Sequence, residues 1–493
     1  VYAAGDPTPL QKLEIAEYDC EVWAKREDLG PIKAYKWRGA YNAVAALEPE
    51  QRAKGIIAAS AGNHGQGVAL AARKLDCQAI VYMPVSTPEV KQHEVKRHGG
   101  SNVEIRLIGD SYDEAGTAAR KYCDAAGAVY VHPYNDPVTM GGQGTVADEI
   151  VMSGQGPFDR IYIAIGGGGL ASSVSCWIKK YWPQCKIIGV EGEGQASMKA
   201  AIEAGEPIEL EYLDVFCDGT AVRKVGDNTF KMCNELLDGI VTVSNDEVCH
   251  GVRRLWETVR AIPEPSGAMG LAAIAKDYAA GEIQAGEKVL TIICGANMDF
   301  AQLANISRRA GIGSRHRRFL RVPIPEGKGS LLQFLKDLPE AVSIVDLQYG
   351  RAGSDIQYPV IGMIGSEAEY AEIDSLLEKR GEEAADVSTE EIVGYRIINY
   401  DASLFTYPFF VNVEFPERAG AFQQFMEKVS EFTSLCYFNY EYSGERVGRA
   451  LVGMDFENEA AKDACKVLLN DMIGDDIRDV RSVSDETLQR LLG

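Results

Sequence analysis

Four short segments of the 493-residue chain carry residue types that could do chemistry together. Lys36 stands in KAYKWRGAYNA, with Tyr35 before it and Arg38 after it, at what reads as a helix start. A primary amine is the side-chain group that forms an exchangeable imine with a carbonyl, and desolvation moves its pKa toward working range. The turn SAGNHGQG, Ser60 to Gly67, lies between the apolar run GIIAA and an apolar helix. Backbone N–H groups converge there on a carboxylate-sized anion, with the donor and acceptor of Asn63 beside them. GGGGL, Gly166 to Leu170, follows RIYIAI and precedes a helix, so its flexible backbone can wrap donors around a phosphate where the helix dipole favours negative charge. No GK[ST] follows these glycines and no acidic ribose partner is apparent, which speaks against a nucleotide site. KVLTII ends in Cys294, Gly295, Ala296 and Asn297. Each segment alone has a plainer reading: a surface lysine, a strand-to-helix turn, a buried structural cysteine.

The elements that must position these residues are legible between about Gly55 and Met298. Short apolar runs alternate there with amphipathic stretches: GIIAA then GQGVALAARKL, CQAIVYMP then PEVKQHEVKRHGG, RIYIAI then GLASSVSCWIKKYW. This is the βαβ pattern of a mainly parallel sheet, whose glycine-rich turns fall after strands, where open α/β sheets bind ligands. After Phe300 the pattern breaks. ANISRRAGIGSRHRR is basic, contains glycine and lacks a sustained apolar period, so a linker is expected at 306–317, after a catalytic domain of residues 1–305.

Beyond it the chain repeats itself. VPIPEGKGSLLQFL aligns with VEFPERAGAFQQFM, placing Pro325, Glu326, Gly329 and Phe334 on Pro416, Glu417, Gly420 and Phe425, all 91 positions apart. The same offset carries Tyr349 onto Tyr440, Gly353 onto Gly444, and Gly362-Met363 onto Gly453-Met454. Each copy reads as strand, turn, helix, two strands and a helix, giving two small α+β modules at 318–400 and 401–493. Pro325, Gly329, Pro416 and Gly420 read as turn formers.

A net charge of -22, from 50 Lys and Arg against 72 Asp and Glu, leaves no basic stripe for nucleic acid or an anionic membrane. No apolar run approaches the length of a membrane span. Eleven cysteines without a CxxC pair suit a reducing compartment and argue against a disulfide framework or structural zinc.

In order and spacing, YKWRGAYNA, SAGNHGQG, GGGGL, EPSGA at Glu264 to Ala268 and CGAN resemble the threonine deaminases, with their two C-terminal ACT-like modules. The resemblance implies an α/β, tryptophan-synthase-β-like (fold-type II) catalytic domain binding pyridoxal 5'-phosphate, followed by two α+β regulatory modules. It implies that Lys36 carries the cofactor as a Schiff base and removes the substrate Cα proton. Gly166, Gly167, Gly168, Gly169 and Leu170 would cup the phosphate, and Asn63 would bond the ring oxygen. Ser60, Ala61, Gly62 and His64 would receive the substrate carboxylate. Cys294 falls where the pyridine nitrogen is contacted, a position many relatives fill with serine. A near-neutral thiol there would not hold the ring nitrogen protonated, which favours elimination over transamination or racemisation. Racemases resembling this family place serine where this chain has Ala61.

The implied reaction turns L-threonine into 2-oxobutanoate and ammonia, and L-serine into pyruvate, as the committed step of isoleucine synthesis. Isoleucine inhibition, valine antagonism and a homotetramer are implied with it, in the cytoplasm of a bacterium or the plastid of a plant. The alternatives are a serine dehydratase, a β-replacement enzyme of the cysteine-synthase kind, and a catalytically dead amino-acid-binding regulator. Gly-Asn-His in place of Gly-Asn-Thr disfavours β-replacement, and Lys36 disfavours the dead regulator. No metal is expected: VEGEGQASM at Glu191 fits a cation-ligand loop only loosely and reads as a solvated acidic turn.

Overall fold

A computed structural model describes residues 1–313, 317–353, 355–380, 384–394, 396–416, 421–441, 447–474 and 477–492. The repeat positions Glu417, Gly420 and Gly444, and residues 314–316 of the expected linker, lie outside them. The chain divides into two units, Val1–Gly313 and Ser314–Gly493.

The first unit holds two sheets rather than one. Val103–Leu107, Ala79–Met83, Ile56–Ala59 and Val129–Tyr130 lie in that order, all parallel. The other sheet runs Leu10–Leu13, Glu21–Arg26, Lys288–Ile293, Arg160–Ala164, Lys186–Gly192, Gly239–Val243, parallel except for its first pair. Apolar runs identify strands without naming their partners, so the split is not visible in sequence. Ile56–Ala59 and Arg160–Ala164 are buried along their whole length, as strands covered on both faces must be.

The linker expectation at 306–317 is corrected. Gln302–Gly313 is a helix that buries Ile306 and Ala310, four residues apart on one face, and packs against the helix Asn245–Val259. Arg309 fixes it to Asp246 at 2.6 Å. Arg317 already begins a strand, Arg317–Arg321. With two buried apolar residues in a twelve-residue helix, the segment's helical stripe is too thin to register as a period.

In the second unit the repeat is structural. Each copy runs strand, helix, two further strands of the shared sheet, helix, with a short closing strand, Ala385–Asp386 in the first and Asp479–Ser482 in the second. Ser343–Gly350 and Ser434–Glu441 lie 91 positions apart and pair antiparallel at the centre of an eight-stranded sheet, with Tyr349 opposite Phe438. The two modules therefore share one sheet. Buried Asp346 in the first central strand pairs with Arg396, which also donates to Asn439 and the Tyr440 carbonyl of the second.

Candidate active site

Three of the strands that end at the site are followed within two residues by site residues. Ile56–Ala59 leads into Ser60 and the helix Asn63–Lys74, Arg160–Ala164 into Gly166 and the helix Gly169–Tyr181, and Lys288–Ile293 into Cys294. Lys36 precedes the helix Trp37–Ala45. It is brought to the third strand end by backbone bonds, Tyr35 N–H to the Cys294 carbonyl at 3.0 Å and Ala296 N–H to the Lys33 carbonyl at 2.8 Å. Arg38, two residues along, is wholly buried between Glu27 and Glu149, with Lys25 closing the cluster on Glu149 at 2.6 Å. These paired charges anchor the helix start that carries Lys36.

Lys36, Asn63, Gly166, Gly167, Gly168, Gly169, Leu170 and Cys294 all line one cavity of about 420 Å³ that opens to solvent. Ser60, Ala61 and Gly62 form the adjoining turn, and His64 follows in the first turn of the helix Asn63–Lys74. The Ser60 hydroxyl accepts the Gly62 N–H at 3.2 Å, and Gly62 is the residue before the helix Asn63–Lys74. His64 is buried with Nε2 on the Val131 carbonyl at 2.9 Å, while its Nδ1 has no hydrogen-bond partner among the described residues. Burial pushes its pKa down to about 3, so the imidazole is neutral and Nε2 carries the proton.

Sequence reasoning missed Tyr134, Thr220 and Glu264, which also line the cavity. Only Glu264 lay within a segment that sequence singled out, EPSGA. Tyr134 and Thr220 sit in loops whose proximity depends on the whole sheet.

The glycine loop is built as an anion cradle. Gly168 has φ +91°, the left-handed region that favours glycine, and a Cβ there would sit 2.7 Å from Met198 and 2.9 Å from Thr229. The Thr229 hydroxyl donates to the Gly167 carbonyl at 2.6 Å, and since C=O and N–H point oppositely across a peptide, the Gly168 N–H faces away from Thr229. The start of the helix Gly169–Tyr181 adds its positive dipole end. Around this cradle the titratable groups are desolvated. Burial pulls the Lys36 amine down, against the opposing pull of Cys294 and Glu264. Burial pushes the Cys294 thiol well up, so it stays neutral, and raises Glu264 to about 7. A phosphate cradle, a desolvated lysine, an amide and a neutral thiol in one cavity fit a pyridoxal phosphate.

A model described as pyridoxal-phosphate dependent enzyme matches residues 1–295, and one for the C-terminal regulatory domain of threonine dehydratase matches 408–492. The chain is 37% identical to the L-threonine dehydratase biosynthetic IlvA of Escherichia coli (strain K12), over 92% of this chain and 89% of that one. The chain belongs to the biosynthetic threonine dehydratase family. It is a pyridoxal-phosphate dependent lyase with a C-terminal regulatory domain that takes a small amino-acid effector. The chloroplastic biosynthetic threonine dehydratase of Arabidopsis thaliana is 34% identical over 96% of this chain and 81% of that one. Among solved structures, the processed form of threonine deaminase isoform 2 from Solanum lycopersicum aligns with a TM-score of 0.59 at 39% identity, over 63% of this chain and 90% of that chain. Maize serine racemase aligns at 0.56 and 30% identity, over 61% and 92%.

Other features bear on the family reading. Glu191, expected in a solvated acidic turn, is instead wholly buried on the strand Lys186–Gly192. The residues VEG complete the apolar run KIIG, and the turn starts only at Glu193. Its carboxylate accepts the Met198 and Lys199 N–H groups at 2.7 and 2.9 Å, and burial raises its pKa to about 7. Among the described residues no cluster of three or more His, Cys, Asp or Glu could hold a metal ion, and no helix is long and apolar enough to cross a membrane.

The second unit has a cavity of about 380 Å³. Glu326, Ser330 and Tyr349 of the first module and Met426 and Leu435 of the second line it. Pro325 and Gly329, read from sequence as turn formers, line it too, and Gly329 has φ +79°. The Glu326 carboxylate receives the Tyr349 hydroxyl at 3.4 Å and faces Arg351 at 3.6 Å.

Proposed function

We propose that this chain converts L-threonine into 2-oxobutanoate and ammonia, and L-serine into pyruvate, as the committed step of isoleucine synthesis. The observation that carries the reading is the meeting of Lys36, the Gly166–Leu170 loop, Asn63 and Cys294 in one cavity at the strand ends. Lys36 would hold pyridoxal 5'-phosphate, with Gly166, Gly167, Gly168, Gly169 and Leu170 around its phosphate, Asn63 toward its ring oxygen and Cys294 toward its ring nitrogen. When bound, the group supplies an electron-accepting ring that takes up the pair freed at the substrate Cα. Lys36 Nζ, its pKa lowered by burial toward the working range, would take the Cα proton. Ser60, Ala61, Gly62 and His64 place the substrate carboxylate at the positive end of the helix Asn63–Lys74, which orients the Cα–H bond. A neutral Cys294 thiol favours prompt loss of the β-hydroxyl over reprotonation at Cα.

We assign catalysis to the first unit and regulation to the modules 318–400 and 401–493, with isoleucine as inhibitor and valine as its antagonist. The cavity lined by Glu326 supports this: a carboxylate for the effector ammonium, N–H groups at the start of the helix Ser330–Asp337 for its carboxylate, and Met426 and Leu435 for a branched side chain. The assembly is a homotetramer, in the cytoplasm of a bacterium or the plastid of a plant.

The test is 2-oxobutanoate formation from L-threonine by the holoenzyme, with and without isoleucine, and on Lys36→Ala. Turnover that isoleucine suppresses and the substitution abolishes is expected. Turnover indifferent to isoleucine would remove the regulatory assignment alone, and absence of 2-oxobutanoate despite bound cofactor would remove the catalytic one.

A further inference from the structure

Three segments far apart in sequence meet at the side chain of Asn63. Its Nδ2 donates to Glu264 Oε1 at 2.8 Å, and its Oδ1 accepts from Asn297 Nδ2 at 2.7 Å. Asn297 Nδ2 also donates to the Ile32 carbonyl at 2.7 Å, and the Asn297 backbone N–H reaches Glu264 Oε2 at 3.1 Å. A side-chain amide is nearly symmetric in shape, and only its neighbours decide which end is oxygen. Asn297 can only donate through Nδ2, so it faces the Asn63 oxygen. An ionised carboxylate can only accept, so it faces the nitrogen. One hydrogen of Asn63 Nδ2 is thereby used, and the second has no partner among the described residues, on a side chain that lines the cavity.

Room for this carboxylate is built into the backbone. A Cβ on Gly295 would come 2.4 Å from Glu264 Oε1, and one on Gly219 3.0 Å. Glu264 precedes the helix Pro265–Ala279 without capping it, and its side chain is 2% exposed.

We propose that Glu264 is a positioning residue whose carboxylate turns the Asn63 amide so that an N–H, and not a carbonyl, faces the ring oxygen of the bound cofactor. This rests on the cofactor-facing reading of Asn63 given above. The charged and titratable groups facing Glu264 are Asp218, Lys36, Cys294 and Tyr35. Burial and Asp218 raise its pKa to about 7, opposed by Asn63, Asn297 and Lys36. The carboxylate is therefore a full acceptor above about pH 7 and gains an O–H below it, which weakens its hold on the Asn63 donor.

The test compares holoenzymes of wild type, Glu264→Gln, Asn63→Ala and the double variant, reading the visible absorption band of the bound cofactor from pH 6 to 9 beside kcat and KM. In wild type the band titrates near pH 7. In Glu264→Gln an amide donor competes with Asn63, so the band shifts, its titration disappears, and kcat falls roughly tenfold, the equivalent of one hydrogen bond, with KM little changed. Adding Glu264→Gln to Asn63→Ala moves the band no further. A full additional shift in the double variant would overturn the proposal, because Glu264 would then act directly on the cofactor or Lys36. If Glu264→Gln does not fold, wild type against Asn63→Ala suffices: a band that titrates alike in both overturns the proposal. An Asn63→Ala band in the wild-type position throughout would instead remove the cofactor-facing reading of Asn63 itself.

Discussion

At the scale of single residues, the groups that do chemistry are recognisable by type, while the groups that tune them are not. Lys36, Asn63, Cys294 and the four glycines each stand in a segment whose composition is unusual for its place after a strand or at a helix start. Glu264 contacts Asn63 across 201 positions, and no local pattern says that a glutamate ahead of Pro-Ser-Gly-Ala turns inward rather than capping its own helix. His64 is another case of tuning by environment. Its folded pKa of about 3 lies below the ordinary 6.5, so the unfolded chain binds the proton more readily and this residue costs stability as pH falls through 6.5. His64→Gln keeps a donor for the Val131 carbonyl and removes the titration. The stability of the variant relative to wild type should therefore rise between pH 7.5 and pH 5 by about 2 kcal/mol, the equivalent of 1.5 pH units. Urea unfolding at the two pH values checks this, and a constant difference would mean that the imidazole is charged or exposed in the fold.

At the scale of elements, apolar runs bounded by turn residues identified four of the ten strands of the first unit, GIIAA, CQAIVYMP, RIYIAI and KVLTII, and the helices that follow the first three. Periodicity failed where the signal was thin. Gln302–Gly313 buries only Ile306 and Ala310 in a basic stretch, and the helix exists because Asn245–Val259 offers a surface for them. Ile306→Ala should cost about 2–4 kcal/mol by emptying a buried site, read as a lower urea midpoint with an unchanged slope. A cost below 0.5 kcal/mol would mean that the helix is held by Arg309 and Asp246 alone. The glycine loop makes an opposite demand, for absence of side chain. Gly168→Ala forces a left-handed alanine, costing about 1–2 kcal/mol, and drives its Cβ into Met198 and Thr229. Because the strain is relieved by moving the loop, the loss should fall on cofactor affinity more than on folding. Equilibrium dialysis of pyridoxal phosphate should show at least roughly tenfold weaker binding.

At the scale of the whole molecule, the 91-residue offset made the duplication visible, because side chains that set turns and cores must recur when a fold recurs. The joining of both copies into one sheet was not visible, since antiparallel pairing of Ser343–Gly350 with Ser434–Glu441 leaves no mark that distinguishes it from two separate sheets. That joining places Met426 and Leu435 of the second module on the same cavity as Glu326 of the first, so one effector molecule would touch both copies. Allosteric control is then a coupling free energy between this cavity and the lysine cavity, and it must be reciprocal: if isoleucine weakens threonine binding by some factor, threonine weakens isoleucine binding equally. Glu326→Gln removes the negative charge proposed to meet the effector ammonium while keeping the size of the side chain. A hydrogen bond to a charged group is worth about 1.5–3 kcal/mol, so isoleucine should inhibit at concentrations roughly 10- to 150-fold higher. Without isoleucine, kcat and the threonine KM should stay at wild-type values, because the substitution touches neither Lys36 nor its neighbours. A change in those basal constants with isoleucine sensitivity intact would place Glu326 in the frame of the module, paired with Arg351 and Tyr349, and would move the effector site elsewhere.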